Sequence, residues 1–152
     1  MSDARSDSAS ASGAPGATSW ARVTDEVLDR TAIENFVLGP TDGALVVFEG
    51  VIRDHDHGDS VNSLDYEAHP DAEAFLASVC REISEETGLR VAAAHRVGHL
   101  AIGDVALIAA VASPHRAEAF AACAELVDRI KEKTPIWKRQ HLTGGTTEWV
   151  NL

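Results

Sequence analysis

Two stretches constrain the fold of this 152-residue chain more than anything else in it: residues 43–53 (GALVVFEGVIR) and residues 104–113, whose middle reads VALIAAVA. Each carries a continuous apolar run rich in β-branched residues rather than an alternating one. That is the pattern of a strand buried on both faces. Gly50 inside the first run marks a bulge or a close backbone approach.

The rest of the chain arranges itself around these strands. Residues 20–27 read as a short strand and residues 29–37 as a short helix that stops before Gly39-Pro40. Residues 54–60 (DHDHGDS) are turn chemistry, and residues 61–67 return as a strand with Leu64 and Tyr66 on one face. Pro70-Asp71 opens a helix whose apolar positions Ala72, Phe75, Val79 and Ile83 keep helical spacing, and Gly88 stops it. Residues 91–97 form a further strand, joined through Gly98 and Gly103 to the second buried run. A long helix then starts at Ser113-Pro114, with Ser113 as N-cap, and runs to about Lys133, before Pro135. Residues 135–139 leave it as an extended segment anchored by Trp137, and a Gly-Gly turn leads to a last strand around Trp149-Val150. The expected fold is α+β, one largely antiparallel sheet with two main helices. Residues 1–19, of Ser, Ala and Gly with scattered charge, read as a disordered tail, and residues 20–152 as a single domain.

Composition excludes several classes of function. With 45% hydrophobic and 24% charged residues the chain is globular rather than disordered. No apolar run approaches the ~20 residues that span a bilayer. The formal net charge of −11 opposes nonspecific binding to nucleic acid or to an anionic membrane. Two cysteines, Cys80 and Cys123, share no CxxC spacing and make neither a disulfide framework nor a thiolate zinc site, which points to a reducing, cytoplasmic compartment.

Within that acidic chain all three lysines, Lys131, Lys133 and Lys138, fall inside eight residues, flanked by Arg129 and Arg139. Such a cluster presents a positive pocket to an anion, or else offsets the dipole of a helix C-terminus. Stepping about 100° per residue puts Phe120, Ala124, Val127 and Lys131 on one stripe and Lys133 on the wet side. Lys131 therefore either continues the buried stripe, where desolvation favours a neutral amine, or snorkels past the helix end. Lys138 follows Trp137 in the basic segment and is either aimed by it or solvated. His115 and Arg116 occupy the first turn of the long helix, an anion-binding position, or else His115 is a surface residue and Arg116 serves packing. Arg53 ends a buried strand beside a loop, where a binding residue projects or a surface ion pair forms. His95 reads as a satisfied core histidine. The His55-Asp56-His57 turn is weak support for a metal, and no metal site is expected. No phosphate loop, GxSxG or HExxH is present.

Three stretches together carry a resemblance: GALVVFEGVIRDHDHGDSVNSLDYEAHP, HRVGHLAIGDVALIAAVASPHRAEAF and DRIKEKTPIWKRQ. In that order they resemble the large, catalytic subunits of molybdopterin synthase over roughly residues 22–150. The resemblance implies an α/β-hammerhead-like fold and a sulfurtransferase of molybdenum-cofactor biosynthesis without a bound cofactor. Its substrate would be cyclic pyranopterin monophosphate, converted to the molybdopterin dithiolene. Sulfur would arrive as the C-terminal Gly-Gly thiocarboxylate of a small ubiquitin-like subunit, in a heterotetramer built on a homodimer of the large subunit. By motif, the family's two functional lysines match Lys131 and Lys138. Its substrate-binding groups match Arg53, His115 and Arg116, with Arg139 and Gln140 completing the basic segment. Gln140 departs from the glutamate that commonly follows Lys-Arg, so a charge-based role there is in doubt. The competing expectation is a non-catalytic partner of a ubiquitin-like Gly-Gly tail on the same fold. Finally, Arg116 and Lys131 stand about 22 Å apart along a helix rising 1.5 Å per residue, so a pocket using both is expected to be shared between two copies.

Overall fold

The computed structural model describes residues 18–56, 59–142 and 147–151, with side chains described for 18–54 and 63–141. The expected tail thus lies outside the described residues except for Thr18 and Ser19, which belong to the fold. Thr18 Oγ1 is 2.7 Å from Ser84 Oγ, and Val91 N–H donates to the Thr18 carbonyl. The Gly-Gly turn at 144–145 and His57 also lie outside.

In chain order the elements are β1 (Ser19–Thr24), α1 (Arg30–Val37), β2 (Ala44–Val51), β3 (His55–Asp56), β4 (Asp59–Ala68), α2 (Ala72–Thr87), β5 (Arg90–Arg96), β6 (Gly98–Ala101), β7 (Val105–Ser113), α3 (Arg116–Lys133), β8 (Ile136–Leu142) and β9 (Thr147–Asn151). The α+β class holds, but the described strands form two sheets. The first runs β1-β5-β7-β2, antiparallel except for the parallel pair β1–β5. The second runs β3-β4-β8-β9, with β6 also paired to β4. β6 is the strand that the sequence reading passes over as a linker, since its four residues alternate too briefly to stand out.

Alternation along β5 and β7 explains why continuous apolar runs were needed. Val91, Ala93, Leu107, Ala109 and Val111 face α2 and α3, which pack on one side of the first sheet. Ala92, Ala94, Ile108, Ala110 and Ala112 face the other side, under Ile33 and Val37 of α1. A smaller core of Ile52, Leu64, Tyr66, Leu100, Ala106 and Ile136 joins the second sheet to the first. β2 is not a central strand. It is the edge partner of β7, partly exposed along its length, with Val51 half exposed. The register shift between Gly50 and Val51 is the bulge that Gly50 announces, and a Cβ at Gly50 would stand 3.4 Å from Leu107 Cβ.

The helices keep close to the expected limits; α2 also keeps most of its expected face, with Ala72, Val79 and Ile83 buried, while α3 does not. Asp29 caps α1, its carboxylate accepting from Ala32 N–H at 3.1 Å. Gly88 ends α2 with φ +76°, a left-handed cap that suits glycine. In α2, however, Leu76 is the buried residue and Phe75 is half exposed. In α3 the buried face is Ala119, Ala122, Cys123, Leu126, Val127 and Ile130, while Phe120 and Ala124 face outward. Many alanines in α3 dilute the periodic signal, so the stripe drawn through Phe120 is turned by about a quarter circle. Its N-cap is His115 rather than Ser113, because Ser113 still pairs with Ala44 in the ladder while its Oγ accepts from His115 N–H. Trp137 is not an anchor: it is 40% exposed, and β8 is held by the strand ladder and by the buried Ile136. No helix among the described residues is long and apolar enough to cross a membrane.

Candidate active site

A cavity of about 340 Å³ opens where the two sheets meet. Among the described residues, six elements line it. The bulged end of β2 gives Glu49 and, just beyond, Arg53; the last turn of α3 gives Lys131; β8 gives Lys138 and Gln140; β5 gives His95. Leu64, Tyr66 and Ala106 supply its apolar wall.

Strand alternation decides which residues of the basic segment take part. Lys138 and Gln140 sit on the inward face of β8 with Ile136, while Trp137, Arg139 and His141 point the other way. Arg139 accordingly does not line the cavity: its Nη2 is 3.7 Å from Asp65 Oδ2 on the outer face of the second sheet. Arg129 is also elsewhere, tied to Glu86 at 2.8 Å across the α2–α3 contact and to Glu125 at 2.8 Å within α3. Lys133 lies 3.6 Å from Glu82 on that side. The positive cluster of the sequence therefore separates in space, and two of its lysines remain together.

Those two define the electrostatics. Lys131 is exposed, as the snorkelling alternative has it; the partial desolvation it does meet, and next the Lys138 charge nearby, hold its ammonium below the ordinary lysine range. Lys131 reaches this environment from the rim of the buried face, beside Val127, not from its centre. Glu49 is the one acidic residue among the described lining residues, and its carboxylate is held by Arg30 of α1 at 3.0 Å. Gln140 is buried beneath the lysines as a neutral amide.

His95 is a core histidine, as its place in β5 suggests, but it also lines the cavity. The Arg96 carbonyl is 2.8 Å from Nδ1, which must therefore donate, and Tyr66 meets the ring edge-on at 5.0 Å. Burial pushes its pKa down to about 4, so the imidazole is neutral at pH 7. The cysteines are buried, and their thiols are pushed up to about 12 for Cys80 and about 11 for Cys123. Neither is a poised nucleophile.

His115 and Arg116 stand exposed at the opposite end of α3 from Lys131 and do not line the cavity. The structure thus brings together Arg53, Lys131, Lys138 and Gln140, and leaves His115, Arg116 and Arg139 apart from them within one chain.

Comparison with known proteins places this arrangement. The family pattern described as "MoaE protein" matches residues 23–133. This chain belongs to the MoaE family. The molybdopterin synthase catalytic subunit 1 of Mycobacterium tuberculosis is 40% identical over 139 residues, covering 90% of this chain and 94% of that protein. The molybdopterin synthase catalytic subunit of Staphylococcus carnosus is 42% identical over 130 residues, covering 84% and 86%. Among solved structures, molybdopterin synthase from Staphylococcus aureus superposes with a TM-score of 0.80 at 36% identity, over 86% of this chain and 96% of that one.

Proposed function

We propose that this MoaE chain is the catalytic subunit of a molybdopterin synthase, a sulfurtransferase that turns cyclic pyranopterin monophosphate into the dithiolene of molybdopterin. The observation that carries the reading is the meeting of Lys131 and Lys138 in one cavity, with Arg53 at its edge, in a chain of net charge −11. A phosphorylated, anionic substrate explains that concentration of positive charge. The absence of a poised thiol or serine pair in the lining fits a nucleophile brought from outside, as the thiocarboxylate of a small ubiquitin-like partner with a Gly-Gly tail.

The roles follow from environment. Lys131, with its depressed pKa, is the proton acceptor as sulfur adds. Lys138 and Arg53 stabilise negative charge as the cyclic phosphate opens. Gln140 supplies a neutral amide at the cavity floor. His115 and Arg116 serve the phosphate and pterin of a second copy's cavity, which reconciles their motif with their distance from Lys131. The partly exposed edge strand β2 supports a homodimer within a heterotetramer. Two free, buried cysteines agree with a cytoplasmic setting.

The test is capture of a small partner ending in Gly-Gly, followed by conversion of cyclic pyranopterin monophosphate by the reconstituted, thiocarboxylated complex. Product formation is expected. Capture without conversion would instead identify a non-catalytic binder of the tail, the reading that Gln140 in place of glutamate would favour.

A further inference from the structure

The outer face of the second sheet holds a side-chain cluster that sulfur transfer does not use. There β6, β4 and β8 lie side by side. Asp65 sits directly opposite His99 on one flank and Arg139 on the other, and His141 is one diagonal step away, opposite Ser63. Alternation turns these side chains away from the buried Leu64, Leu100 and Gln140. His99 Nδ1 is 2.8 Å from Asp65 Oδ1, and His141 Nε2 is 2.6 Å from Asp65 Oδ2. One ligand atom from each residue lies within 4.8 Å of the others.

We propose that Asp65, His99 and His141 form a binding site for one divalent transition-metal ion of the zinc type, with water in the remaining position. Two neutral imidazoles and a carboxylate are a donor set that Zn²⁺ accepts, and an open fourth position is usual when three protein ligands are present. Bonds of about 2.0–2.2 Å separate the donor atoms of a tetrahedral site by roughly 3.4 Å. The two carboxylate–imidazole spacings must therefore open by somewhat under an ångström. His99, with 63% of its side chain exposed, is free to make that adjustment.

Three hydrogen-bonded strands hold the Cα positions, so the backbone is already ordered before the ion arrives. On binding, each imidazole turns a lone pair toward the ion from the nitrogen that now faces Asp65, keeping its proton on the other nitrogen. Arg139 opposes the ion's charge but stands 3.7 Å from Asp65 Oδ2, where it serves as outer partner to the carboxylate. The site lies behind the cavity wall, so its ion clamps β6, β4 and β8 and takes no part in the chemistry. It stands independently of the sulfur-transfer reading. No sequence spacing announces it, because its ligands come from three separate strands and only register joins them.

The test uses the untagged full chain, stripped with a chelator and titrated with Zn²⁺ by calorimetry and with Co²⁺ by visible absorption. One ion per chain and the absorption of a four-coordinate Co²⁺ site are expected. Both should be lost in His99→Ala and in His141→Ala, checked as folded by circular dichroism, and kept in a His55→Ala/His57→Ala double variant. Absence of saturable binding overturns the proposal, as does binding that survives His99→Ala or that depends on His55 and His57 instead.

Discussion

Gln140 places an uncharged amide in the cavity where Lys131 and Lys138 converge. A carboxylate at that position would favour the charged form of its lysine neighbours, which the amide does not do. Gln140→Glu should therefore raise the Lys131 pKa and move the limb of the pH–rate profile that reports its deprotonation to higher pH. An unmoved limb would show that Lys131 is not the titrating group. His95 gives a second pH signature, in stability rather than rate. Its pKa is about 4 in the fold against 6.5 when unfolded, so the unfolded chain binds the extra proton between these values. Stability is then fully present above pH 6.5 and declines as pH falls toward 4, by roughly 3 kcal/mol in total. Urea titrations across this range should show that slope in the natural protein and a flatter one in His95→Gln.

At the scale of elements, helix phase is the most instructive feature. Leu76 is fully buried in the core between α2, α3 and the first sheet, whereas its neighbour Phe75 is 48% exposed. Leu76→Ala should cost about 2–5 kcal/mol, and Phe75→Ala no more than about 0.5 kcal/mol, in denaturant midpoints at constant slope. Gly88→Ala should cost about 1 kcal/mol, since φ there is +76°. Some helix ends were legible because they depend on local chemistry, Gly88 as a left-handed stop and Pro135 as a break, but the caps Asp29 and His115 were not. Helix phases were less legible. Phe75 and Phe120 look like core residues in sequence, yet smaller residues one or more positions away are buried, and α3's alanines fit either face. β7 was legible as a two-sided strand from VALIAAVA alone. The edge position of β2 was not, because nothing in GALVVFEGVIR says which neighbour is missing. The motifs single out Lys131, Lys138 and Arg53, and these three line one cavity. Arg139 was assigned to it by adjacency, where the two-residue period of β8 puts it on the other face.

For the whole molecule, the length of α3 is the decisive dimension. About 22 Å separate Arg116 from Lys131, too far for one small substrate to touch both in one chain. If two copies share each cavity, mixing Arg116→Ala chains with Lys131→Ala chains should restore part of the activity that each lacks alone, through hybrid dimers with one intact site. Activity that stays absent after subunit exchange has been verified would argue for a cavity built from one chain. The central claim, that the paired lysines turn a cationic cavity into a sulfurtransferase, is tested most directly by single-turnover conversion of cyclic pyranopterin monophosphate with thiocarboxylated small subunit. Lys131→Ala should fold, bind the small subunit normally and lose about 10²–10⁴-fold in rate. A folded, partner-binding Lys131→Ala protein that makes molybdopterin at the natural rate would contradict it.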